Sequence, residues 1–577
     1  MELPTRTGNE ARFCLGAILL TATLVRVGMG FVFFGFHTGD DVEILQAGFM
    51  RALGWPYQPW DIRNLLVSDL LTAPAIALAS ALGVSSTRDL AWLASMPIVV
   101  LASLNVYLVY RLTVRWLGSE TPALLAAGLY AFHWLPLGYG SMVYPRTVST
   151  ACLLIAALTL WNRRGGPLWR PVLAGGLMAI AWAIRYSEAI FLLPLLALIW
   201  LQEKDLKGRV LRCGSLVAGF AVASLLTVGL EDWLTWGRPF ASLAAFARYT
   251  LLEHRSSSLE PVQHWSFYVW RLPQWLAPTL LPFLWRARKV AGSLAVALFV
   301  LLPVLEMSLI HQKQIRYLQG VMPFLIVVAV AGAWSFWKSG RSGVRWLVAV
   351  LVVLSLLIGL RRLTFLTHKS MAAVMAAQAL ATSPARPPAV CLSQAWAYGS
   401  TLYLGRGVDV RDLPYPLTEA AFASTLGKCP AVALYEEDYR RDAQIPLLLR
   451  QQGFAASGEY RWGHSKPVLV FAARQIGRQG HINERSPPST RRSSLAPLCH
   501  VFLSQRRALR SCRAEQLASR RATFIEGLLV VEGLTLLPLT PSEQASERAD
   551  DLPGLFRAVR CLHGFSLDLV GEAPSWC

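Results

Sequence analysis

The chain has 577 residues, of which 54% are hydrophobic and only 16% charged, and its mean hydropathy is +0.42. Soluble globular domains carry about 25% charge, so this balance excludes an ordinary soluble enzyme, and the apolar excess excludes a disordered chain. A polytopic membrane protein remains.

The formal charge of +20 comes from 55 Lys and Arg against 35 Asp and Glu. In a soluble protein it would suggest nucleic acid. Here the basic residues gather in short loops between apolar runs, as they do in cytoplasmic loops, and no nucleic-acid partner is expected. Apolar runs near 20 residues are long enough to cross a bilayer. They fall near 14–36, 88–110, 121–141, 144–161, 171–186, 188–202, 213–231, 274–286, 290–310, 316–337 and 345–361, which predicts roughly 11 transmembrane helices. The stretch 65–83 is also apolar, but Asp69 and Pro74 interrupt it, and a juxtamembrane or re-entrant element is expected there. No small-residue cleavage site follows the first run, so it reads as a retained anchor. Arg111 and Arg115, Arg163 and Arg164, Lys204 and Lys207, Arg286 and Arg288, and Lys338 and Arg341 mark every second loop as cytoplasmic. The alternate loops, among them the long segments 37–87 and 232–273, then face outward.

Beyond residue 362 the character changes. The domain division expected is a transmembrane part, 1–362, a small outward-facing α/β domain, 363–475, and an Arg-rich tail, 476–577. Strands are predicted at 388–393, 431–435 and 467–472, with helices near 395–404 and 442–452. An outward compartment permits a disulfide between Cys391 and Cys429. Cys14, Cys152 and Cys213 lie in apolar stretches and read as inert small hydrophobes. The segment 476–577 holds 13 arginines and no lysine. It reads as a disordered tail or as the product of a shifted reading frame.

The chemistry-bearing residues sit in the outward loops. The first opens on His37-Thr38-Gly39-Asp40-Asp41-Val42-Glu43, with Gln46 beyond. Adjacent carboxylates repel each other, and a low-dielectric boundary disfavours ionising both. One acid of raised pKa is then a good general base, and the local text leaves open which of the two it is. A Trp55 to Trp60 aromatic turn comes next, then Arg63. Tyr144-Pro145-Arg146 and Arg185-Tyr186-Ser187-Glu188 stand in two short loops, and Arg185 with Glu188 could form a local ion pair. The long loop 232–273 carries Arg255 and His264-Trp265, and His311, Lys313 and Arg316 precede the tenth run. Cations and aromatics gathered on one face suit a lipid-linked anion, because guanidinium and ammonium groups hold phosphate oxygens. A plain interfacial belt would appear on both faces, whereas the cytoplasmic loops carry little besides charge.

Taken together, these residues resemble the GT-C superfamily of integral-membrane glycosyltransferases. Among them, the likeness is to glycosyltransferase family 22, the polyprenyl-phosphate-mannose-dependent mannosyltransferases of GPI-anchor and N-glycan assembly. His37-Thr38-Gly39-Asp40-Asp41 with Gln46 resembles the family's His-Pro-Asp-Glu motif, with one residue inserted, the proline lost and Asp for Glu. Trp60-Asp61-Ile62-Arg63-Asn64 is similar to its aromatic turn and Arg-Ser element. Phe246 to Tyr249, Ser256 to Ser258 and His264-Trp265-Ser266-Phe267-Tyr268 are similar to its outer loop. His311-Gln312-Lys313-Gln314-Ile315-Arg316-Tyr317 resembles its His-Lys-Glu-x-Arg-Phe text. The likeness covers roughly residues 10–362.

It implies an inverting transfer of a hexose, mannose foremost, from a polyprenyl-phosphate sugar donor to a glycan or glycolipid acceptor. Asp40 is then the expected base and Asp41 its neighbour or an acceptor-binding group. Arg316, Lys313 and His311 are the first candidates for the donor phosphate, with His264, Arg255 and Arg63 behind them. No cofactor is required. Two adjacent acids leave room for a divalent metal, although no His-rich ligand set demands one. The expected location is the plasma (inner) membrane with an extracytoplasmic active site, or alternatively the endoplasmic reticulum with a lumenal one. A lipid-linked saccharide flippase is the rival from another class, kept open by Arg26 in mid-span. An O-antigen-type polymerase or ligase and an inactive scaffold are the others.

Overall fold

The computed structural model describes residues 8–35, 38–161, 166–253, 263–310, 313–339, 342–383, 386–393, 400–413 and 419–473. His37, Arg255, His311 and the whole segment 476–577 lie outside the described residues. So do 394–399, where part of a helix is expected. Every described residue belongs to one compact unit, Met1–Gln479.

The apolar runs form a helical bundle. Among the described residues, four helices are long and apolar enough to cross a membrane alone: Asn9–Val32, Thr87–Leu117, Leu206–Trp236 and Ser342–Thr382. Most of the other expected spans are shorter apolar helices, such as Pro145–Leu160, Trp169–Ile184 and Met322–Lys338. A 17-residue helix is about 25 Å long at 1.5 Å per residue, short of the ~30 Å hydrocarbon core. By length and composition, four spans stand out among the described residues, and the count of eleven is not confirmed. Pro145–Leu160 and Met322–Lys338 are mostly buried inside the bundle, where neighbouring helices cover them. The run 274–286 is not one helix. Prolines divide it into the short turns Leu272–Trp275, Pro278–Leu280 and Leu281–Ala287.

Close packing sets the bundle. A Cβ on Gly175 would lie 2.0 Å from the Leu216 carbonyl oxygen, and one on Gly219 would lie 2.2 Å from that of Val172. Two glycines thus let the helices Trp169–Ile184 and Leu206–Ser224 meet backbone to backbone. Arg26 is fully buried and donates to the carbonyls of Ala22 and Ala131, each at 3.1 Å. Ala131 lies in the last turn of Glu120–Phe132, where carbonyls lack intrahelical partners. The mid-span charge is therefore a helix-to-helix tie, and it no longer speaks for a transport path.

The apolar stretch near 65–83 becomes the helix Ser68–Ala81, which begins with a π turn, Ser68–Thr72. It packs against the helix Asp40–Leu53. The C-terminal part is a five-stranded sheet: β1 (Ala389–Ser393), β2 (Asp409–Leu413), β3 (Ala431–Tyr435), β4 (Phe454–Tyr460) and β5 (Val468–Ala473). The order is β2-β1-β3-β5-β4, parallel from β2 to β3 and antiparallel beyond. β1, β3 and β5 coincide with the apolar runs. β2 and β4 are the two edges, polar and largely exposed, and so carry little apolar signal. Cys391 in β1 and Cys429 ahead of β3 form a disulfide.

Candidate functional site

The site is built at the start of the helix Asp40–Leu53. Gly39 precedes it with φ of 88°, a conformation glycine adopts without the strain a side chain would bring. The helix therefore begins at Asp40, with Asp40, Asp41 and Glu43 in its first turn. Free N–H groups and the helix dipole favour anions there.

Asp40 is 6% exposed and ringed by arginines. Arg63 Nη2 lies 2.5 Å from its Oδ1, Arg185 Nη1 3.3 Å from the same oxygen, and Arg316 Nη2 3.9 Å from Oδ2. The three come from separate segments: the loop between Asp40–Leu53 and Ser68–Ala81, the C-cap of Trp169–Ile184, and the 3-10 turn Ile315–Gly320. Burial alone would raise the Asp40 pKa, but Arg185, Arg63, Arg316 and Arg146 outweigh it and hold the carboxyl well below the usual carboxylate range. Asp40 is thus ionised and is not the raised acid that two adjacent carboxylates suggest. The opposing charges come from segments remote in sequence, so the local text does not reveal them. Its Oδ2 makes no hydrogen bond.

A fourth arginine stands behind. Arg146, at the start of Pro145–Leu160, pairs with Glu188 at 2.5 Å, donates to Ser187 Oγ and stacks over Tyr317. The expected local pair of Arg185 with Glu188 therefore does not form. Glu188 takes Arg146, and Arg185 turns to Asp40. Arg316 is held from its own side: its Nη1 donates to the Thr38 carbonyl at 2.8 Å, and Tyr144 donates to the Arg316 carbonyl at 3.3 Å.

Asp41 faces elsewhere. It is fully buried and accepts from the Thr38 N–H at 2.7 Å and the Thr38 hydroxyl at 2.9 Å. It also lines a cleft with Phe33, Phe34, Trp92, Ser141 and Tyr403. Glu43 accepts from the Trp60 N–H at 2.8 Å. Burial, together with the charge of Glu43, pushes the Tyr57 phenol up. Arg63 lies over the Trp60 ring, which meets Tyr249 edge to face. The aromatic turn is thus the mount of Arg63.

Of the candidates named from sequence, Arg63 and Arg316 meet at Asp40. Lys313 does not. Its Nζ donates to the carbonyls of Gln263 and Ile310, bracing the long loop, and burial lowers its pKa. His264 bonds Ser266 Oγ through Nδ1. Neither has an ion pair or hydrogen bond to the arginine cluster among the described residues. Sequence reasoning left out Arg146 and Arg185 as site members. The available signal was a lone arginine in each of two short loops on the Asp40 side. Among the described residues, no group of three or more His, Cys, Asp or Glu side chains is arranged to hold a metal ion.

Three guanidinium charges against one carboxylate leave an excess of two in a buried place. Such a site can hold phosphate oxygens beside a carboxylate with an unused lone pair. Fold and site define a helical membrane protein with an arginine-rich anion site around one aspartate. The chain belongs to the Alg9-like mannosyltransferase family, whose model matches residues 50–404. The match takes in Arg63, Arg146, Arg185 and Arg316 and begins after Asp40 and Asp41. GPI mannosyltransferase 3 of Yarrowia lipolytica is 25% identical over 355 residues. That stretch is 58% of this chain and 66% of the relative, so the chain spans just under two thirds of its length. Among solved structures, apo ArnT from Cupriavidus metallidurans aligns with a TM-score of 0.47 and 11% identity, covering 80% of this chain and 98% of that one. The Archaeoglobus fulgidus oligosaccharyltransferase aligns with 0.46 and 12%, covering 78% and 74%.

Proposed function

We propose that the protein is a membrane glycosyltransferase that moves mannose from a polyprenyl-phosphate donor to a hydroxyl of a lipid-linked glycan or other extracytoplasmic acceptor. The observation that carries this reading is Asp40, ionised and buried among three arginines, with Oδ2 free of hydrogen bonds. Family membership supports mannose.

The acceptor oxygen forms a bond to the anomeric carbon as the bond from that carbon to the phosphate oxygen breaks on the opposite face. The acceptor proton passes to Asp40 Oδ2. The lipid phosphate leaves with the bonding electron pair and gains one negative charge. The two uncompensated guanidinium charges are suited to that gain, and fixed charge aimed at developing charge is commonly the largest catalytic contribution. Asp40 in its arginine cage is a weak base. A donor phosphate that draws the guanidinium groups toward itself would leave Asp40 less compensated and more basic. General-base help then supplies about 10²–10⁴-fold.

The Cys391–Cys429 disulfide supports an outward or lumenal site. Such bonds persist in oxidising compartments, and Tyr403 of the same segment donates to the Phe34 carbonyl near the Asp40 helix. We place the protein in the plasma (inner) membrane. The fungal relative supports the second reading, an endoplasmic reticulum membrane with a lumenal site.

The test is transfer of radiolabelled mannose from polyprenyl-phosphate-mannose in membranes holding wild type, Asp40→Asn or Asp41→Asn at equal level. Wild type labels an acceptor, Asp40→Asn falls at least ~100-fold, and Asp41→Asn retains measurable transfer. Full activity in Asp40→Asn would remove Asp40 as the base.

A further inference from the structure

Two cage arginines each have a sequence neighbour held from a place that the transfer chemistry does not touch. The helix Leu206–Ser224 passes through a π turn, Leu225–Gly229, into Leu230–Trp236. A π turn inserts a residue into the helical ladder and re-aims the side chains beyond it. Here those side chains include Glu231 and Asp232. Asp232 is fully buried, and among the described residues neither carboxylate has a cationic partner.

Each carboxylate holds the neighbour of a cage arginine. Glu231 accepts from Asn64 Nδ2 at 2.5 Å, from the Leu65 N–H at 3.4 Å and from Thr235 Oγ1 at 2.9 Å. Asn64 also donates to the Thr227 carbonyl inside the π turn and accepts from the Leu66 N–H. It is bonded on both ends of its amide, one residue after Arg63. Asp232 accepts from the Ser242 N–H at 2.8 Å and from the Ser242 hydroxyl. The same hydroxyl is bonded to the Tyr186 hydroxyl, one residue after Arg185. The Tyr186 ring is clamped between Trp182 and Phe246. Arg316 has its own support at Thr38 and Tyr144 and is independent of this step.

Resting on the phosphate reading above, we propose that Asn64 and Tyr186 are positioning residues, anchored on Glu231 and Asp232, that set Arg63 and Arg185 for the donor phosphate. Small misplacement of such groups is costly. A shift of about 1 Å from a distant change lowers rates by ~100-fold where orientation matters.

The test uses the full-length protein in detergent, with binding of polyprenyl phosphate and the donor KM and kcat measured for variants that lose only hydrogen bonds. Tyr186→Phe weakens polyprenyl phosphate binding roughly tenfold, the scale of one hydrogen bond, and raises the donor KM more than it lowers kcat. Ser242→Ala does the same by removing the other end of the link. The decisive readout is coupling. Tyr186→Phe adds nothing in an Arg185→Gln background and acts in full in an Arg63→Gln background, and Asn64→Ala shows the mirror pattern. Wild-type binding in both Tyr186→Phe and Ser242→Ala, or full additivity with Arg185→Gln, overturns the positioning role while the phosphate reading stands. No polyprenyl phosphate binding by wild type overturns both.

Discussion

At the scale of single residues, the proposed mechanism gives Asp40 two incompatible tasks. As the proposed base it accepts a proton, yet in the free protein it neutralises guanidinium groups suited to the phosphate. Asp40→Asn removes a charge that competes with the donor while leaving the side chain's shape. Polyprenyl phosphate therefore binds Asp40→Asn more tightly than wild type, by roughly tenfold or more if one charge-assisted contact of ~1.5–3 kcal/mol is released, while transfer is lost. Equilibrium binding of labelled polyprenyl phosphate checks this, and weaker binding in Asp40→Asn would mean that the carboxylate orders the arginines rather than competing for them. The members of this site were unequally legible. Asp40, Arg63 and Arg316 stand in motifs with local character. Arg146 takes the Glu188 partner that sequence adjacency offers to Arg185, because ion pairing is decided by which segments converge and not by spacing. Lys313 carries the residue type of a phosphate ligand, yet two backbone carbonyls occupy it.

At the scale of elements, apolar length was the readable signal and interruption was not. The run near 345–361 reads as a helix and lies within Ser342–His368, whereas 274–286, also apolar, breaks at its prolines. Arg26 shows the limit of reading charge from position. A charge at mid-span costs about 2.5–3.5 kcal/mol on insertion scales, and the structure offsets it with carbonyls at Ala22 and Ala131. Arg26→Met removes the buried charge and leaves the Ala131 carbonyl unpaired at a cost of ~1–3 kcal/mol. The two effects are similar in size and opposite in sign. Arg26→Met therefore keeps most of its transfer activity and shifts the thermal midpoint by only a few degrees in detergent. Loss of transfer without a shift in midpoint would give Arg26 a part in the chemistry that its contacts do not suggest.

For the whole molecule, the sheet is not an appendage of the bundle. Its residues alternate between two buried clusters. Val390, Leu392, Ala431, Ala433, Val468 and Val470 share a buried cluster with Leu45 and Phe49 of the Asp40 helix and with Ala373, Val374 and Ala377 of the helix Met371–Thr382, on which the sheet packs. Cys391, Val432, Leu434 and Phe471 pack on the other face with Phe422, Leu426 and Leu449. The apolar runs that marked these strands thus serve both faces, and sequence alone did not reveal that one face is closed by the helix Met371–Thr382. The disulfide lies in the second cluster, and its effect must reach the site through the sheet. It closes a loop with a sequence separation of 38, worth roughly 4 kcal/mol on the loop-entropy scale. Cys391→Ser with Cys429→Ser then loosens the sheet, and with it the face that supports Asp40, although neither cysteine touches the arginines. The expected outcome is a thermal midpoint lowered by several degrees, with transfer falling in parallel as temperature rises and recovering on cooling. Transfer that stays at the wild-type level through the variant's lowered midpoint would show that the Asp40 helix holds its place without the sheet.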